Sequence, residues 1–375
     1  MVPGYARSRP LLVGYYGEHN LGDDALLEVL LAQLPGHCRA TVTARDQAEV
    51  RQRYGVATVD RRRLGAVLVA LNHGDALVFG GGSLLQDATS FASLLYYAAL
   101  VAAARLRGRS VLLWAQGLGP LRRRRSRLLV RALLRLVNGC SWRDAQSAAL
   151  ARELGWRPDR RQLACAAAAS SASSHDIAGQ AGVGSDPVWS LEAPAWSGHG
   201  GPLVLCFRPT TQLQGSRWRP WLQALEQLAP ERELLWLPFH RHQDRGLLEQ
   251  LRAEGLLGAG LVARSRELAP EGVEDALAVA AGSGLVLAMR LHGLILAAVS
   301  GAPVAALSYD PKVAAAARAL GCPLAELDGA PEQAGLLRQW RACLDQPPPR
   351  ERVRQLRQAT EVHRQLLVAT FSSRG

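Results

Sequence analysis

The sequence predicts an α/β protein with two doubly wound, Rossmann-like domains, in which helices cover parallel strands. Short apolar segments bounded by glycine alternate with helical segments, and this alternation is typical of a parallel sheet. The alternation stops at residues 164–185, which are rich in Ala, Ser and Gly, and a second series begins at residue 202. Of the 375 residues, 48% are apolar and 20% are charged, so each domain can bury a core and wholesale disorder is excluded.

The first half of the chain contains five segments that we expect to be strands. Each lies shortly before a predicted helix, and the two clearest helices run from about Asp23 to Leu34 and over about 90–107. The strand segments are LLVGYYG (11–17), RATVTAR (39–45), DALVFGGG (75–82), SVLLWAQG (110–117) and NGCSWRD (138–144).

The second half repeats the pattern with five further segments. They are PLVLCFRP (202–209), ELLWLPFH (233–240), GLVARS (260–265), LVLAMR (285–290) and PVAALSYD (303–310). The chain is therefore expected to consist of an N-terminal α/β domain (1–163), an insertion and interdomain linker (164–201), a C-terminal α/β domain (202–328) and a helical tail (329–375) that can cross back.

The positive charge of the chain is concentrated in one window. Lys and Arg together number 44, but a single one of them is a lysine, Lys312, and the net charge is +12. Residues 105–161 hold 15 arginines and 3 acidic residues, so the entire net charge lies there. A focused excess of this kind predicts a face with an anionic partner, whereas a uniform excess would affect only solubility.

The densest part of this window, Leu121–Val137, is expected to be an amphipathic helix. Arginines recur on one side, and apolar residues form the other side. The arginines are Arg124, Arg127, Arg131 and Arg135, and the apolar residues are Leu129, Val130, Leu133, Leu136 and Val137. The basic part of this helix, Arg122–Arg135, is suited to binding an anionic membrane surface. The alternative is that the helix packs on the domain and its arginines are simply exposed to solvent. Nucleic acid is not expected, because no recognised nucleic-acid-binding motif occurs and aromatics are not interleaved with the arginines.

Other features predict a cytoplasmic chain without metal or disulfides. The six cysteines are scattered and form no CxxC pair. The N-terminal residues contain no signal-peptide core, and the most apolar stretch, Phe91 to Ala104, is too short to span a bilayer.

Two loops of the N-terminal half contain candidate ligand-binding residues. In GYYGEHNLGDDALL (14–27), Asn20 or Asp23 can cap a helix, and the two neighbouring aspartates favour a hydroxylated ligand; a plain capped helix entry is the alternative. In VFGGGSLLQD (78–87), three glycines follow an apolar strand, which indicates close approach of a ligand or tight packing against another segment. The candidate residues for sugar hydroxyls are Asn20, Asp23, Gly81, Gly82, Ser83, Gln86 and Asp87.

Three further motifs place cations at the ends of predicted strands, where parallel sheets bind ligands. Arg290 and His292 of RLHG, with the amides of the following helix, predict an anion site. Lys312 of SYDPKV ends the next strand, and Arg143 of SWRD could supply another cation. Each residue also has an interpretation without a ligand. His292 would then be a structural histidine, Lys312 an ordinary surface lysine, and Arg143 the partner of Asp144 in a salt bridge.

Together these motifs resemble, in order and over about residues 11–320, the polysaccharide pyruvyltransferases, with the CsaB type as the nearest match. The motifs that carry the resemblance are GYYGEHNLGDDALL, FGGGSLLQDATSFASLLYY, WAQGLGPL, SWRDAQSAALARELG, SDPVWSL, LPFH, RLHGLILAA and SYDPKV. The resemblance implies a glycosyltransferase-B-like fold and a transferase that uses phosphoenolpyruvate as a substrate, without a further cofactor or metal.

The implied reaction transfers pyruvate to two hydroxyls of one sugar, forms a ketal and releases phosphate. The implied acceptor is an N-acetylhexosamine of a cell-wall polysaccharide precursor, at a lipid-linked stage, so the enzyme would work in the cytoplasm at the inner face of the membrane. Arg143, His292 and Lys312 carry over as catalytic residues, with Arg290 and Gly293 beside them in the donor site. The N-terminal domain would hold the acceptor and the C-terminal domain the donor.

Two other functions are compatible with the sequence. A nucleotide-sugar glycosyltransferase of the same fold would need an acidic residue for the ribose after the RLHG helix, and HGLILAAVSG supplies none. A non-catalytic glycan-binding or membrane-binding relative is the other alternative, and the presence of Arg143, His292 and Lys312 speaks against it.

Overall fold

The structure, a computed structural model, describes residues 8–88, 90–160, 162–163 and 181–372. The chain forms two compact units. The first unit comprises Met1–Glu18, Ala25–Pro187 and Arg357–Gly375, and the second comprises His19–Asp24 and Val188–Leu356. Most of the insertion predicted at 164–185 lies outside the described residues; its last part, from Ala181, pairs with the first sheet through a bridge between Val183 and Trp142.

The first unit contains a parallel sheet of seven strands. The strands are β1 (Pro10–Tyr16), β2 (Thr41–Ala44), β3 (Ala57–Asp60), β4 (Ala76–Phe79), β5 (Gly82–Leu85), β6 (Ser110–Leu118) and β7 (Gly139–Trp142). Their order is β3-β2-β1-β4-β6, and the long β6 also pairs with β5 and β7. β4 has all four residues buried, as expected for a parallel strand that is covered on both faces.

Helices cover this sheet and are linked to the strands by short connections. They are α1 (Leu21–Gln33), α2 (Gln47–Tyr54), α3 (Leu64–His73), α4 (Phe91–Leu106), α5 (Arg124–Leu134) and α6 (Ala145–Glu153). The first turn of α1, up to Asp24, belongs to the second unit.

The second unit contains a parallel sheet of six strands. The strands are β8 (Leu203–Cys206), β9 (Leu234–Trp236), β10 (Ser265–Glu267), β11 (Leu285–Ala288), β12 (Val304–Ser308) and β13 (Leu324–Glu326). Their order, β10-β9-β8-β11-β12-β13, reverses direction between β8 and β11. A crevice opens at such a reversal, beyond the carboxyl ends of the strands, and ligands of open α/β sheets bind there.

The helices of the second half follow the same alternation. They are α7 (Arg219–Gln227), α8 (Arg241–Asp244), α9 (Leu247–Ala253), α10 (Ala259–Arg264), α11 (Val273–Ala281), α12 (Leu291–Val299), α13 (Pro311–Leu320), α14 (Gln333–Cys343), α15 (Arg350–Ala359) and α16 (Glu361–Phe371). The last helix, α16, belongs to the first unit and packs on β6 and β7. None of the helices in the described part of the chain has both the length and the apolar character needed to cross a bilayer.

One predicted strand is wrong. GLVARS (260–265) forms the helix α10, and the strand β10 begins only at Ser265. A short apolar run does not distinguish a strand from a helix, and here the end of the helix is fixed by tertiary contacts. The guanidinium of Arg264 donates to the carbonyls of Leu225, Leu228 and Ala229, which holds the last turn of α10 against the end of α7.

The arginine-rich helix is shorter than predicted. It covers Arg124–Leu134 instead of Leu121–Val137, and Val130, Leu133 and Leu134 bury its inner side. Its start is fixed by Asp87, whose two carboxylate oxygens accept the backbone amides of Arg122 and Arg123 at 2.9 Å each. Residues 121–123 are therefore held in an extended segment that leads into the helix.

Candidate functional site

The second sheet presents most of its polar side chains at the carboxyl ends of its strands. Arg208 follows β8, Asp244 follows β9, and Arg290 follows β11. Because β8 and β11 pair in parallel at the reversal of strand order, the residues that follow them lie at the predicted ligand-binding crevice. Lys312 follows β12, which pairs with β11. The structure thus brings Arg290, His292 and Lys312 to one edge of one sheet.

Arg290 is held by a buried carboxylate. Its Nε donates to Oδ2 of Asp244 at 2.9 Å, and its Nη2 bonds the other carboxylate oxygen. The side chain of Asp244 is fully buried, and its Oδ2 also accepts the backbone amide of His240 at 2.8 Å. A fork-shaped pair of this kind fixes the plane of the guanidinium. Arg290 therefore presents its remaining donors in a set direction.

A second arginine, Arg208, joins this network. The Oε1 atom of Gln243 accepts Nη2 of Arg208 at 3.3 Å and Nη2 of Arg290 at 3.2 Å. Nη1 of Arg208 donates to the hydroxyl of Tyr309 at 2.9 Å. Arg208 was not among the residues predicted from the sequence, although it follows an apolar strand in the same way as Arg290. The rule that ligands bind at the carboxyl ends of parallel strands would have predicted Arg208 as well.

His292 lies against the first turn of α1. A Cβ atom placed on Gly22 would lie 2.1 Å from Nδ1 of His292, so only glycine leaves room for the ring. Gly22 belongs to the second unit with its neighbours His19–Asp24, which are tied to the end of β9. Asn20 bridges His240, Leu21 donates to the carbonyl of Phe239, and Arg241 donates to the carbonyl of His19. The loop after β1 thereby forms one wall around His292.

The predicted acceptor residues Asn20 and Asp23 belong to this same wall. Oδ1 of Asn20 accepts the amide of Gly22 at 3.2 Å, and its Nδ2 bonds the carboxylate of Asp23. Both side chains thus shape the turn that holds Gly22 against His292. The structure supports a capping role at the start of α1 for Asn20. The predicted contact of both residues with a sugar stays a prediction.

Lys312 occupies the first turn of α13. The helix is capped by Asp310, whose Oδ1 accepts the amide of Lys312 at 3.0 Å, and Pro311 supplies its first residue. Gly293, the other predicted donor residue, is buried, and a Cβ there would come within 3.0 Å of Cys206. Gly293 therefore lets α12 approach β8 closely.

This arrangement suits a small ligand with several negative charges. Two guanidinium groups share one amide oxygen, His292 follows Arg290 by two residues at the start of α12, and an ammonium group follows the next strand. The side chain of Arg290, which precedes α12, does not cap the helix, and the first turn of α12 lies at the positive end of the helix dipole, which favours anions.

Arg143 lies at the carboxyl edge of the other sheet, in the first unit. Its side chain is 5% exposed and lies within 4 Å of two carboxylates, with Nη1 3.4 Å from Asp186 and Nε 3.6 Å from Asp144. Its Nη2 donates to Oγ of Ser83 at 3.0 Å. A Cβ on Gly117 would lie 2.7 Å from Nε of Arg143, so that glycine makes room for the guanidinium. The alternative of a salt bridge to Asp144 is present, and Asp186 is an additional partner that the sequence did not predict.

The triple-glycine loop packs against the protein itself. A Cβ on Gly81 would come within 2.7 Å of Leu26, and Gly82 adopts a φ of 86°, which favours glycine. Ser83, on β5, is half-buried and contacts Arg143. Tight packing, the alternative to ligand contact, thus accounts for Gly81.

The last two predicted acceptor residues shape loops. Oε1 of Gln86 accepts the amide of Ala88 at 2.6 Å. Burial by itself raises the pKa of Asp87, but the amides of Arg122 and Arg123 outweigh it and hold the pKa below its usual range. Asp87 is therefore an ionised anchor for the segment that precedes α5.

Solved structures of other proteins share this fold over almost the whole chain. The Anabaena protein HepE in complex with UDP and glucose has 12% sequence identity and a TM-score of 0.58, with 98% of this chain and 97% of that chain covered. A putative UDP-N-acetylglucosamine 2-epimerase from Listeria monocytogenes has 14% identity and a TM-score of 0.59, with 98% and 97% covered. The UDP-GlcNAc 2-epimerase from Methanocaldococcus jannaschii has 10% identity and a TM-score of 0.58, with 98% and 100% covered. At these identities the likeness shows the fold alone, and it confirms the predicted glycosyltransferase-B-like fold.

Comparison of the sequence with protein families shows which family with this fold the chain belongs to. No curated protein matches the chain. The sequence profile of the family described as Polysaccharide pyruvyl transferase matches residues 20–311. This stretch is well over half of the 375 residues, contains Arg143, Arg290 and His292, and ends one residue before Lys312. The chain therefore belongs to the polysaccharide pyruvyl transferase family.

Proposed function

We propose that this transferase uses phosphoenolpyruvate to form a pyruvate ketal on a sugar. The observation that carries the proposal is the pair of guanidinium groups, Arg208 and Arg290, that share Gln243 at the reversal point of the second sheet. His292 follows Arg290 by two residues in the chain. Phosphoenolpyruvate carries a phosphate and a carboxylate on three carbons, so its site needs several fixed cations close together. The CsaB-type assignment within the family belongs to the same proposal.

The charged groups of the donor would be divided among the cations. Guanidinium groups bind phosphate and carboxylate through two parallel hydrogen bonds, and an ammonium group acts as a compact point charge. Lys312 and Arg143 would bind the charged groups, as the family resemblance implies, and Arg290 would add a contact from its position on Asp244. The amides at the start of α12 would take one phosphate or carboxylate oxygen.

His292 would be the general acid of the reaction. A proton on C3 turns the methylene into a methyl group and leaves C2 with oxocarbenium character. One sugar hydroxyl bonds C2, the bond between C2 and the phosphate oxygen breaks, and the second hydroxyl closes the ketal. Of the two hydroxyl protons released, one balances the proton delivered to C3 and the other leaves with phosphate. Assistance to the departing phosphate is the other role open to His292.

The acceptor in this proposal is a sugar with two hydroxyls, an N-acetylhexosamine of a cell-wall polysaccharide precursor at a lipid-linked stage. The enzyme would work in the cytoplasm, at the inner face of the membrane. Ser83, next to Arg143, is the predicted acceptor residue that is placed beside a proposed catalytic group.

Phosphate release tests the proposal directly. The purified chain is incubated with phosphoenolpyruvate and lipid-linked N-acetylhexosamine acceptors, and with UDP-sugars in parallel. We expect phosphate in equal amount to the ketal product and no consumption of UDP-sugar. Release of UDP without release of phosphate would instead support the nucleotide-sugar glycosyltransferase, and binding of the acceptor without any turnover would support a non-catalytic relative.

The nucleotide-sugar alternative is favoured by one observation and opposed by another. HepE, which shares the fold, binds UDP and glucose in its own structure. In this chain, however, α12 carries no acidic residue that could bind a ribose. For this reason we retain phosphoenolpyruvate as the donor.

A further inference from the structure

Three successive helices of the first unit expose an unusual amount of apolar surface. The helices α3, α4 and α5 contribute to one core, and α4 packs against both of its neighbours. Seven large apolar side chains are exposed among the described residues, and six of them lie on these helices or just after α5. The six are Leu64, Val69, Leu95, Leu106, Leu128 and Leu136. We call the outer surface of α3, α4 and α5 the helical face.

The centre of the helical face is a continuous apolar stripe on α4. Its exposed residues recur at intervals of three and four, on one side of the helix, and all are apolar except Arg105. The apolar residues are Ala92, Leu95, Ala99, Ala102 and Leu106. Leu106 is 87% exposed and Leu95 is 48% exposed, so these side chains extend into solvent. Monomeric proteins rarely expose a stripe of this kind without a partner.

Arginines surround the stripe. On α5, Leu128 is 67% exposed and lies one turn from Arg124 and one turn from Arg131, which are exposed as well. The guanidinium of Arg125 lies 4.2 Å from the ring centre of Phe91, which joins α5 to the start of the α4 stripe. None of the three helices contains an acidic residue. Arg127 of α5 is paired with Glu153 of α6 at 2.8 Å, whereas Arg124 and Arg131 are exposed beside Leu128. The helical face therefore combines exposed leucines with an excess of positive charge.

The start of α5 is an unfavourable place for this charge. Four arginines, residues 122–125, lie at the positive end of the helix dipole, where cations are destabilising. Asp87 offsets part of this effect by accepting the amides of Arg122 and Arg123. Its carboxylate is buried, so it fixes the helix start while the arginine side chains remain outside. Such an arrangement is consistent with a surface kept for an anionic partner.

We infer that the helical face docks onto an anionic lipid bilayer, with the leucines of α4 and α5 inserted between headgroups. Charge complementarity distinguishes among three possible binding partners of the helical face: a second copy of the chain, nucleic acid and a bilayer. A second copy of this chain meeting the face through a two-fold axis would place arginines opposite arginines. Nucleic acid would bind the arginines, but its phosphates offer nothing to the apolar stripe. A bilayer with anionic headgroups satisfies both the arginines and the leucines. This inference goes beyond the proposed function, because it holds whatever group the enzyme transfers.

Vesicle flotation tests the inference with the full chain. Vesicles of phosphatidylglycerol and phosphatidylcholine in equal amounts are compared with vesicles of phosphatidylcholine alone. We expect the wild type to float with the anionic vesicles only. The double variant Arg124→Glu/Arg131→Glu should bind at least about tenfold more weakly. The matched control is Arg217→Glu/Arg219→Glu, which changes the net charge equally on exposed residues of the second unit and should bind as the wild type does.

The leucines distinguish a bilayer from other polyanions. Leu95→Ser/Leu128→Ser leaves every arginine in place, and both positions are exposed, so the fold should persist; circular dichroism and thermal unfolding check this. We expect this variant to lose roughly fivefold or more of its vesicle affinity. Full vesicle binding by the serine variant, equal loss in the control variant, or no flotation of the wild type would each overturn the inference. So would binding to duplex DNA that exceeds vesicle binding and is insensitive to the serine substitutions.

Discussion

The two sheets have related strand orders, but their carboxyl edges differ in how they hold cations. At the edge of the first sheet, one buried guanidinium, Arg143, lies between two carboxylates, Asp144 and Asp186. At the edge of the second sheet, one carboxylate, Asp244, serves a network that contains two guanidinium groups, Arg208 and Arg290. A network with fewer acids than cations has positive charge left for an anionic ligand, whereas a cation matched by two carboxylates, such as Arg143, attracts the same ligand less strongly.

The largest expected effect belongs to the second edge. We predict that His292→Ala lowers ketal formation by about a thousandfold, because general acid catalysis contributes two to four orders of magnitude. Turnover of phosphoenolpyruvate is the measurement, and His73→Ala, at an exposed position at the end of α3, is the control that should keep full activity. Retained turnover in His292→Ala would remove His292 from the acid role.

A smaller effect is expected when a methyl group is added at Gly22, in the loop that contacts His292. In Gly22→Ala the new methyl group would overlap Nδ1 of His292, so the ring must move. We predict that kcat falls by about a hundredfold, since displacements of about 1 Å at a reacting group have effects of this size. Gly329→Ala is the matched control, because a Cβ there meets no atom within 4 Å. If Gly22→Ala and Gly329→Ala have equal kcat values, the wall does not position His292.

We predict that acidic pH destabilises the carboxyl edge of the first sheet through protonation of His363. This residue of α16 is fully buried, with Nδ1 2.9 Å from Oγ of Ser141 and Nε2 2.8 Å from the carbonyl of Ser185. Burial lowers the pKa of His363 to about 4, against opposing effects of Ser185 and Asp186. The two bonded residues lie close to Arg143 and Asp186 in the chain, so α16 supports the first edge.

The sign of the pH dependence follows from that pKa. The unfolded chain, with a histidine pKa of about 6.5, binds more protons than the folded one between pH 6.5 and 4. The stabilisation is complete above about pH 6.5 and is lost as the pH falls towards 4, and the loss reaches about 2 kcal/mol at pH 5. Urea unfolding at pH 7 and pH 5 measures it, and His363→Gln should show a weaker pH dependence. An equal pH dependence in wild type and His363→Gln would contradict the assignment.

The smallest expected effect tests why one lysine persists in an arginine-rich chain. We predict that Lys312→Arg raises the KM for phosphoenolpyruvate by about tenfold, because a planar guanidinium does not replace a compact ammonium group at a small anion. Arg318→Lys, at an exposed position of the same helix, is the reciprocal control and should leave the KM unchanged. An unchanged KM in Lys312→Arg would place Lys312 outside the donor site.

Much of the fold could be predicted from the sequence, because parallel strands covered on both faces have a local signature. β4 and β11 are short, wholly buried apolar runs, and both were predicted. The segment 260–265 was not predicted correctly, because its apolar residues fit a helix equally well. Its conformation is decided by distant carbonyls that bind Arg264.

The site could be predicted in part for a similar reason. The rule that ligands bind at strand ends predicted Arg290, His292 and Lys312 at strand ends, and the structure places them after β11 and β12, while their roles stay predictions. The role of Gly22 depends on the loop after β1 joining the second unit, and the role of Asp87 depends on two amides about 35 residues away. Contacts between distant parts of the chain leave no local signature.

Turnover of phosphoenolpyruvate labelled with ¹³C at C2 shows whether this transferase forms a pyruvate ketal. The wild type is incubated with the labelled donor and a lipid-linked N-acetylhexosamine acceptor, and the product is followed by NMR. We predict that the labelled carbon becomes a ketal carbon bonded to two oxygens of one sugar, with one phosphate released for each ketal. Labelled donor that remains intact while a nucleotide sugar is consumed with the same acceptor would contradict it.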